Sequence, residues 1–363
     1  MKVIISGGGT GGHIFPAISI ANAIKEQEPF AEILFVGALG KMEMEKVPDA
    51  GYRIVGLPVA GFQRRLTLKN LSFFLKLYSS LKKAKSIIRE FVPDVVIGVG
   101  GYASGPVLRV ASRWGIPTLI QEQNSYPGVT NRILSKKVDK ICVAYSGMEK
   151  YFPESKIILS GNPVRQNLIS GYNKIDALNH FGLQSDKKIV LVIGGSLGAR
   201  SVNQGIQKGL SKFFEHDIQV IWQTGKFYYE EMKKSVPNQY DTNIKVLDFI
   251  QKMSYAYGLA DVIISRAGAS SISEIALLGK PAVFVPSPNV AEDHQTKNAM
   301  ALVNESAAVM VADKDTDQLS DVVIELLDNP EKMETMKQSL SKFAKPYAAK
   351  EIADEIFKLV KHS

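Results

Sequence analysis

The sequence contains a single cysteine and no apolar run of the roughly 20 residues needed to cross a bilayer. Cys142 cannot form an internal disulfide, and its place in the apolar segment KICVAY favours a buried structural thiol in a reducing compartment. The amino-terminal segment MKVIISGGG lacks the longer apolar core and the cleavage site of a signal peptide. We therefore expect a cytoplasmic protein whose association with any membrane is peripheral.

Several catalytic and metal-binding motifs are also missing. The sequence has no His/Cys set with metal-site spacing, no P-loop and no G-x-S-x-G elbow. Residues 313–317 (DKDTD) do contain Asp-x-Asp, which can bridge a metal to a diphosphate. The same residues are typical of a polar turn whose Asp and Thr side chains cap the following helix. The capping interpretation needs no ion, so we expect neither a metal nor a cofactor.

Positive charge is concentrated in the first half of the chain. Residues 1–160 carry 21 Lys+Arg against 12 Asp+Glu, whereas residues 161–363 carry 23 against 24. Residues 60–89 hold eight Lys+Arg and no acidic residue, interleaved with apolar and aromatic side chains. This pattern suits an amphipathic helix on an anionic membrane, although part of its apolar stripe must be core. It matches no RNA-binding motif, so we expect no nucleic-acid partner. The candidate membrane residues are Arg64, Arg65, Lys69, Phe73, Phe74, Lys76, Leu77, Lys82 and Lys83.

Short apolar runs alternate with longer stretches of helical spacing along the whole chain. The eleven runs are KVIIS, EILFVG, RIVGL, DVVIGVG, PTLIQ, KICVA, KIVLVIGG, IQVIWQ, IKVLD, DVIIS and PAVFVP. Alternation of this kind predicts an α/β fold with parallel sheets covered on both faces. Residues 160–175, rich in Gly, Pro and Asn, separate two series that open alike, with a strand, a glycine cluster and a helix.

These two series predict two Rossmann-like domains whose sheets turn their carboxyl ends to a shared cleft. We place the first domain at residues 1–160 and the second at residues 161–344. A carboxy-terminal helix at about 345–363 is expected to pack back on the first domain.

The first glycine cluster precedes the candidate catalytic residue. Gly7, Gly9 and Gly12 satisfy G-x-G-x-x-G, but the second strand ends without the acidic residue that holds the ribose of a dinucleotide, which argues against NAD(P). Five glycines in six positions exceed what a turn needs and favour close approach of a ligand to the backbone. His13 follows directly, where an imidazole is suited to accept a proton from an attacking hydroxyl.

The second half offers three candidate binding segments. Residues 194–200 (GGSLGAR) place backbone N–H groups at a helix start, which favours a diphosphate. Residues 266–274 (RAGASSISE) form another helix start, in which Glu274 is placed to hold the two hydroxyls of a ribose. Residues 293–295 (DHQ) follow a further strand and are suited to bind sugar hydroxyls.

Several blocks of sequence together resemble the MurG family, the N-acetylglucosaminyltransferases of peptidoglycan synthesis. In chain order they are GGGTGGHIFP from Gly7, DVVIGVGGYASGPV from Asp94, QEQN from Gln121, GNPVR from Gly161, GGSLGAR from Gly194, the helix start at 268–274 and the segment at 293–295. The resemblance covers essentially the whole chain.

The resemblance implies a GT-B glycosyltransferase fold and an inverting, metal-independent reaction on the cytoplasmic face of the bacterial membrane. GlcNAc would pass from UDP-GlcNAc to the C4 hydroxyl of MurNAc in undecaprenyl-diphospho-MurNAc-pentapeptide. His13 then corresponds to the candidate general base. The implied UDP-GlcNAc contacts are Thr10, Gly11, Gly12, Asn124, Arg165, Ser196, Ile250, Ala269, Ser270, Ser271, Ile272, Ser273, Glu274 and Gln295, with Gly195 and His294 as weaker candidates. Some family members have two glutamines where this chain has His294 and Gln295.

Two other functions remain open on the sequence alone. A UDP-GlcNAc epimerase of the same architecture would keep the nucleotide-binding segments and would need no basic amphipathic helix. A membrane-bound scaffold without activity would have no reason to retain the glycine loops together with His13, Glu274 and Gln295.

Overall fold

A computed structural model describes residues 1–59, 69–164, 168, 171–195, 197–290 and 293–361, with backbone only for 69–74. The chain divides into two compact units. The N-terminal unit comprises Met1–Arg165 together with Lys345–Ser363, and the C-terminal unit comprises Gln166–Ala344.

The N-terminal unit is built on a seven-stranded parallel sheet. Its strands are β1 (Lys2–Ser6), β2 (Glu32–Ala38), β3 (Arg53–Leu57), β4 (Val95–Gly98), β5 (Thr118–Glu122), β6 (Lys140–Val143) and β7 (Ile157–Leu159), in the order β3-β2-β1-β4-β5-β6-β7. The helices between them are α1 (Gly11–Gln27), α2 (Glu43–Asp49), α3 (Lys69–Phe91), α4 (Ser104–Arg113) and α5 (Val129–Leu134).

The C-terminal unit repeats this plan with six parallel strands. They are β8 (Ile189–Ile193), β9 (Gln219–Gln223), β10 (Ile244–Leu247), β11 (Val262–Ser265), β12 (Ala282–Phe284) and β13 (Val309–Met310), in the order β10-β9-β8-β11-β12-β13. Its helices are α6 (Lys174–Phe181), α7 (Arg200–Glu215), α8 (Tyr229–Ser235), α9 (Met253–Leu259), α10 (Ala269–Leu277), α11 (His294–Val303), α12 (Leu319–Leu327) and α13 (Pro330–Leu340). Both sheets begin with the 3-2-1-4-5 order of Rossmann folds, which confirms the predicted fold class.

Buried side chains on both faces of each sheet explain the nearly continuous apolar strands. Along β1, Val3 and Ile5 pack on the face covered by α1, whereas Ile4 packs on the opposite face with α3 and α4. Cys142 belongs to the first of these cores, and burial raises the pKa of its thiol to about 12.

The last helix, α14 (Ala348–Lys361), belongs to the N-terminal unit. Ala349, Ile352, Ala353 and Ile356 recur at helical spacing, and all four are buried in the same core as α1. The chain thus returns to its first unit after completing the second.

The sequence pattern missed two strands. β7 has three residues and β13 has two, and both lie at an edge of their sheet. Runs this short are below the length at which hydrophobic periodicity is informative. Within the described part of the chain, no helix combines the length and the apolar character needed to cross a bilayer.

Candidate active site

The glycine loop after β1 is held by a residue outside the predicted site. Gly8 and Gly9 have φ angles of 140° and 92°, which L side chains rarely adopt. The carboxylate of Glu43, at the start of α2, accepts hydrogen bonds of 2.9 Å from the backbone N–H of Gly9 and from that of Ala38. Glu43 is 1% exposed. Sequence reasoning missed it because it follows the end of β2 by several residues.

His13 lies in the first turn of α1, next to Thr10 and Gly100. The hydroxyl of Thr10 is 3.3 Å from Nδ1 of His13. A Cβ atom on Gly100 would lie 2.9 Å from both Cδ2 and Nε2 of the ring, so only glycine leaves room for the imidazole there. A Cβ on Gly101 would lie 2.3 Å from the carbonyl oxygen of Gly8. The loop after β4 therefore packs directly on the glycine loop and on His13.

Asn124 is positioned by the buried carboxylate of Glu122 at the end of β5. Glu122 accepts hydrogen bonds from the backbone N–H and the side-chain amide of Asn124, at 3.0 and 3.1 Å. It also accepts from Gly128 N and Asn131 Nδ2, at 3.0 and 2.9 Å. Burial raises the pKa of Glu122, while these four donors favour its charged form. Glu122 thus organises the whole loop that joins β5 to α5.

In the C-terminal unit, Gln223 links two of the predicted donor-binding positions. Its amide nitrogen donates to the carbonyl of Gly195 at 3.1 Å, and its oxygen accepts from the backbone N–H of Ile250 at 2.9 Å. Gly195 and Gly198 have φ angles of 88° and 79°, so the loop after β8 needs glycine at both positions. The predicted residue Ser196 lies outside the described residues, as does Arg165.

Helix α10 carries the predicted segment Ala269 to Glu274. The carboxylate of Glu274 is buried and accepts a hydrogen bond of 3.0 Å from the hydroxyl of Tyr257. Ser273 donates back to the carbonyl of Ala269 at 3.0 Å. Ile272, like Ile250, is buried in the core, so either can reach a ligand chiefly through its backbone. Ser270 and Ser271 are half-buried at the helix start.

The segment before α11 orients Gln295. Its side-chain oxygen accepts a hydrogen bond of 2.8 Å from the backbone N–H of Ser287. Asp293 takes a left-handed conformation, with φ of 52°, and accepts a hydrogen bond of 2.7 Å from the hydroxyl of Thr296. His294 is half-buried in the first turn of the helix.

The expectation that residues 313–317 cap a helix is wrong. No side chain caps α12 or the 3-10 segment before it. Asp313 instead forms a 2.5 Å ion pair with Arg266, and Asp317 forms a 2.7 Å ion pair with Lys208. Both carboxylates are thus engaged by cations from other parts of the chain. Over the described ranges, no group of three His, Cys, Asp or Glu residues is arranged to hold a metal.

A basic and aromatic groove lies between α3 and α4. Its cavity of about 530 Å³ is lined by Tyr78, Leu81, Lys82, Lys85, Arg109, Val110, Arg113 and Trp114. Leu75 and Tyr78 are 70% and 72% exposed, whereas Ala84, Ile87 and Ile88 are buried in the core. The apolar residues of α3 are thus divided between core and surface.

The predicted membrane residues overlap with the lining of this groove at Lys82. Lys76, Lys82 and Lys83 are exposed and Leu77 is half-buried, whereas Arg64 and Arg65 and the side chains of Lys69, Phe73 and Phe74 lie outside the description. Sequence reasoning did not place Arg109, Arg113 and Trp114 beside these residues, because they lie in and just after α4, outside residues 60–89.

Comparison with known proteins identifies the family. Residues 3–143 match the glycosyltransferase family 28 N-terminal domain, and residues 189–352 match the family 28 C-terminal domain. The chain belongs to glycosyltransferase family 28. A protein of Parabacteroides distasonis, named UDP-N-acetylglucosamine--N-acetylmuramyl-(pentapeptide) pyrophosphoryl-undecaprenol N-acetylglucosamine transferase, is 56% identical over 99% of this chain and 98% of its own length. A protein of the same name from Bacteroides thetaiotaomicron is also 56% identical, over 99% and 98%.

Solved structures agree with this family 28 assignment. Acinetobacter baumannii MurG is 29% identical, has a TM-score of 0.77 and covers 98% of this chain and 99% of its own. The resemblance to the MurG family and the GT-B fold are thereby confirmed. The UDP-GlcNAc 2-epimerase of Neisseria meningitidis, bound to UDP-GlcNAc, has a TM-score of 0.70 at 15% identity over 99% and 100% of the two chains, which shows a shared fold alone.

Proposed function

We propose that this chain transfers GlcNAc from UDP-GlcNAc to the C4 hydroxyl of MurNAc in undecaprenyl-diphospho-MurNAc-pentapeptide, with inversion at the sugar and without a metal. The product is the lipid-linked disaccharide used in peptidoglycan synthesis. The observation that carries the proposal is the 56% identity to the N-acetylglucosamine transferases of Parabacteroides distasonis and Bacteroides thetaiotaomicron, over nearly the full length of each chain. The epimerases share the fold at far lower identity.

The C-terminal unit is the proposed donor site. Gly195 follows β8, the Ala269–Leu277 helix follows β11 and Gln295 follows β12, and these three strands are neighbours in the sheet. Carboxyl ends of adjacent parallel strands share one edge, so the three segments lie side by side. Helix starts α7 and α10 supply donors and positive dipole ends for the diphosphate, and buried Glu274 is an acceptor for the ribose hydroxyls. Ser196, Ile250 and His294 are assigned to the same donor site on the family resemblance. Arg165, at the end of the N-terminal unit, is assigned to UDP-GlcNAc on the same ground.

His13 is the proposed general base. In this scheme the imidazole accepts the proton of the MurNAc C4 hydroxyl as that oxygen attacks C1 of GlcNAc. The C1–O bond to the diphosphate breaks, and UDP leaves with the bonding electrons. Thr10 contacts the ring at Nδ1 and Gly100 packs on its Nε2 edge, which supports a fixed ring orientation. Gly11, Gly12 and Asn124 are assigned to the sugar-nucleotide by resemblance.

The proposed location is the cytoplasmic face of the membrane, with peripheral attachment through the α3–α4 groove. Tyr78 and Trp114 expose aromatic rings beside Lys82, Lys85, Arg109 and Arg113. Aromatic rings favour the headgroup level of a bilayer and cations favour anionic lipids. Such a surface would bring the enzyme to its lipid-linked acceptor.

A transfer assay tests the proposed reaction. Labelled UDP-GlcNAc and a short-chain lipid-diphosphate acceptor are incubated with the chain in the presence of EDTA, and labelled lipid product is measured. We expect transfer that depends on the acceptor and survives EDTA. Turnover of UDP-GlcNAc without acceptor would instead indicate an epimerase, and binding without any turnover would indicate a scaffold.

A further inference from the structure

The side chain of Glu43 fills the space between the glycine loop and the end of β2. A Cβ atom on Gly8 would lie 2.2 Å from Oε1 of Glu43, and a Cβ on Gly37 would lie 2.6 Å from its Cγ. The two carboxylate oxygens accept from Gly9 N and Ala38 N, one on each side of this space. Glycine at positions 8 and 37 therefore makes room for a buried carboxylate.

This space is where a dinucleotide-binding domain holds its ligand. In such domains the glycine loop binds the pyrophosphate, and an acidic residue at the end of β2 binds the ribose. Here a carboxylate of the chain itself takes the N–H of Gly9. The carboxylate already accepts from the N–H that a phosphate would use, and its side chain fills the space beside Gly8 and Gly37. At Gly9, the G-x-G-x-x-G pattern of the N-terminal unit thus donates to a carboxylate of the chain itself.

The same two hydrogen bonds restrain the residues that precede His13. Gly9 is joined directly to Thr10, whose hydroxyl contacts the His13 ring. On its other side the loop packs against Gly101, where a Cβ would lie 2.3 Å from Gly8 O. The glycine loop is therefore held between Glu43 and the loop after β4.

We propose that Glu43 is a positioning residue of the transfer reaction: its carboxylate bridges the glycine loop to β2, sets the place of Thr10 and His13, and closes the nucleotide position of the N-terminal unit. The proposal rests on the proposed role of His13 as base. Glu43 itself touches no substrate in this scheme and acts through the loop.

Two substitutions of Glu43 distinguish its role as a bridge between two backbone donors from the effects of its charge and of its size. Glu43→Gln keeps the length of the side chain but presents an amide NH₂ to one of the two backbone donors. Glu43→Asp keeps the charge but is one methylene too short to reach both. We expect each to lower kcat by on the order of 10–100-fold, because small displacements of a catalytic group are costly. Affinity for UDP, measured by calorimetry, should stay at the wild-type value.

A second readout does not depend on activity. The chain has five histidines, so the ring resonances of His13 can be identified in a histidine-labelled sample by their loss in His13→Gln. We expect those resonances to shift in both Glu43 variants, while the other histidine signals stay in place. If the wild-type chain transferred no GlcNAc, the proposed function would fail, and this spectrum would still test the positioning role.

Val47→Ala is the matched control on the same helix. Val47 is 2% exposed in α2, so its truncation loosens the helix without removing the carboxylate. It should lower the unfolding temperature and leave kcat and the His13 resonances unchanged. The proposal is overturned if Glu43→Gln retains the wild-type kcat and His13 resonances. It is also overturned if Glu43→Asp retains both while Glu43→Gln does not, since charge alone would then suffice. A change of the same size in Val47→Ala would overturn it as well.

Discussion

The hydroxyl of Tyr257 donates a 3.0 Å hydrogen bond to Oε2 of Glu274, and the two residues are 1% and 5% exposed. A buried carboxylate needs such partners because its oxygens can no longer accept hydrogen bonds from water. Tyr257 on α9 therefore helps to keep an acceptor at the proposed ribose site on α10.

Glu274→Ala should weaken UDP binding by about 1.5–3 kcal/mol, the usual scale for hydrogen bonds to a charged group. Isothermal calorimetry measures this directly. Tyr257→Phe removes the buried partner but keeps the carboxylate, so its effect on UDP affinity should be smaller. An unchanged UDP affinity in Glu274→Ala would place the ribose elsewhere.

His13→Ala should lower kcat by about 10²–10⁴-fold while donor affinity stays near wild type, since the imidazole is proposed to act on the proton and not on UDP. Steady-state kinetics with both substrates separates kcat from KM. His216→Ala is a suitable control, because that ring lies at the end of α7 and contacts the carbonyl of Lys212. A kcat loss of less than about tenfold in His13→Ala would reduce His13 to a positioning role.

Gly100→Ala should impair catalysis more than its cost in stability explains. The new Cβ would lie 2.9 Å from the His13 ring, so the imidazole must move. Gly115 is the matched control: it also has a positive φ, 70° against 94°, but a Cβ there meets nothing within 4 Å. Both variants should lose on the order of 1–3 kcal/mol of stability from backbone strain.

Thermal unfolding and steady-state kinetics of Gly100→Ala and Gly115→Ala test whether the loss of kcat exceeds the loss of stability. Only Gly100→Ala is expected to show a lower kcat at a temperature where both variants remain folded. Equal kcat values for the two would mean that the contact with His13 does not hold the ring.

Reversing Lys82, Lys83 and Lys85 to Glu should abolish sedimentation with anionic vesicles. Each basic residue near an anionic surface contributes about 1 kcal/mol, and salt screens that attraction. UDP binding should persist, because the donor is assigned to the other unit. The control reverses three exposed lysines of the C-terminal unit, Lys226, Lys234 and Lys314, with the same change in charge. Loss of vesicle binding in both variants would show a general charge effect and no specific membrane surface.

The sequence by itself determined the architecture and the place of the glycine loops. Strands buried on both faces must be apolar throughout, so eleven of the thirteen strands in the described residues were readable as apolar runs between helical stretches. The spacing of Ala349, Ile352 and Ile356 likewise marks the buried face of α14, and the charge of residues 60–89 marks a basic segment. Each of these signals comes from residues that lie close together in the sequence.

The tertiary structure alone decided which side chains complete the site. Glu43 lies 34 residues from Gly9, and Tyr257 lies 17 residues from Glu274. Trp114 joins Tyr78 only because α4 packs against α3. Such pairs leave no periodic signal, since they arise from the order of strands in the sheet and from the packing of helices on it. A buried carboxylate therefore looks like any surface glutamate in the sequence until the fold removes it from water and supplies its donors.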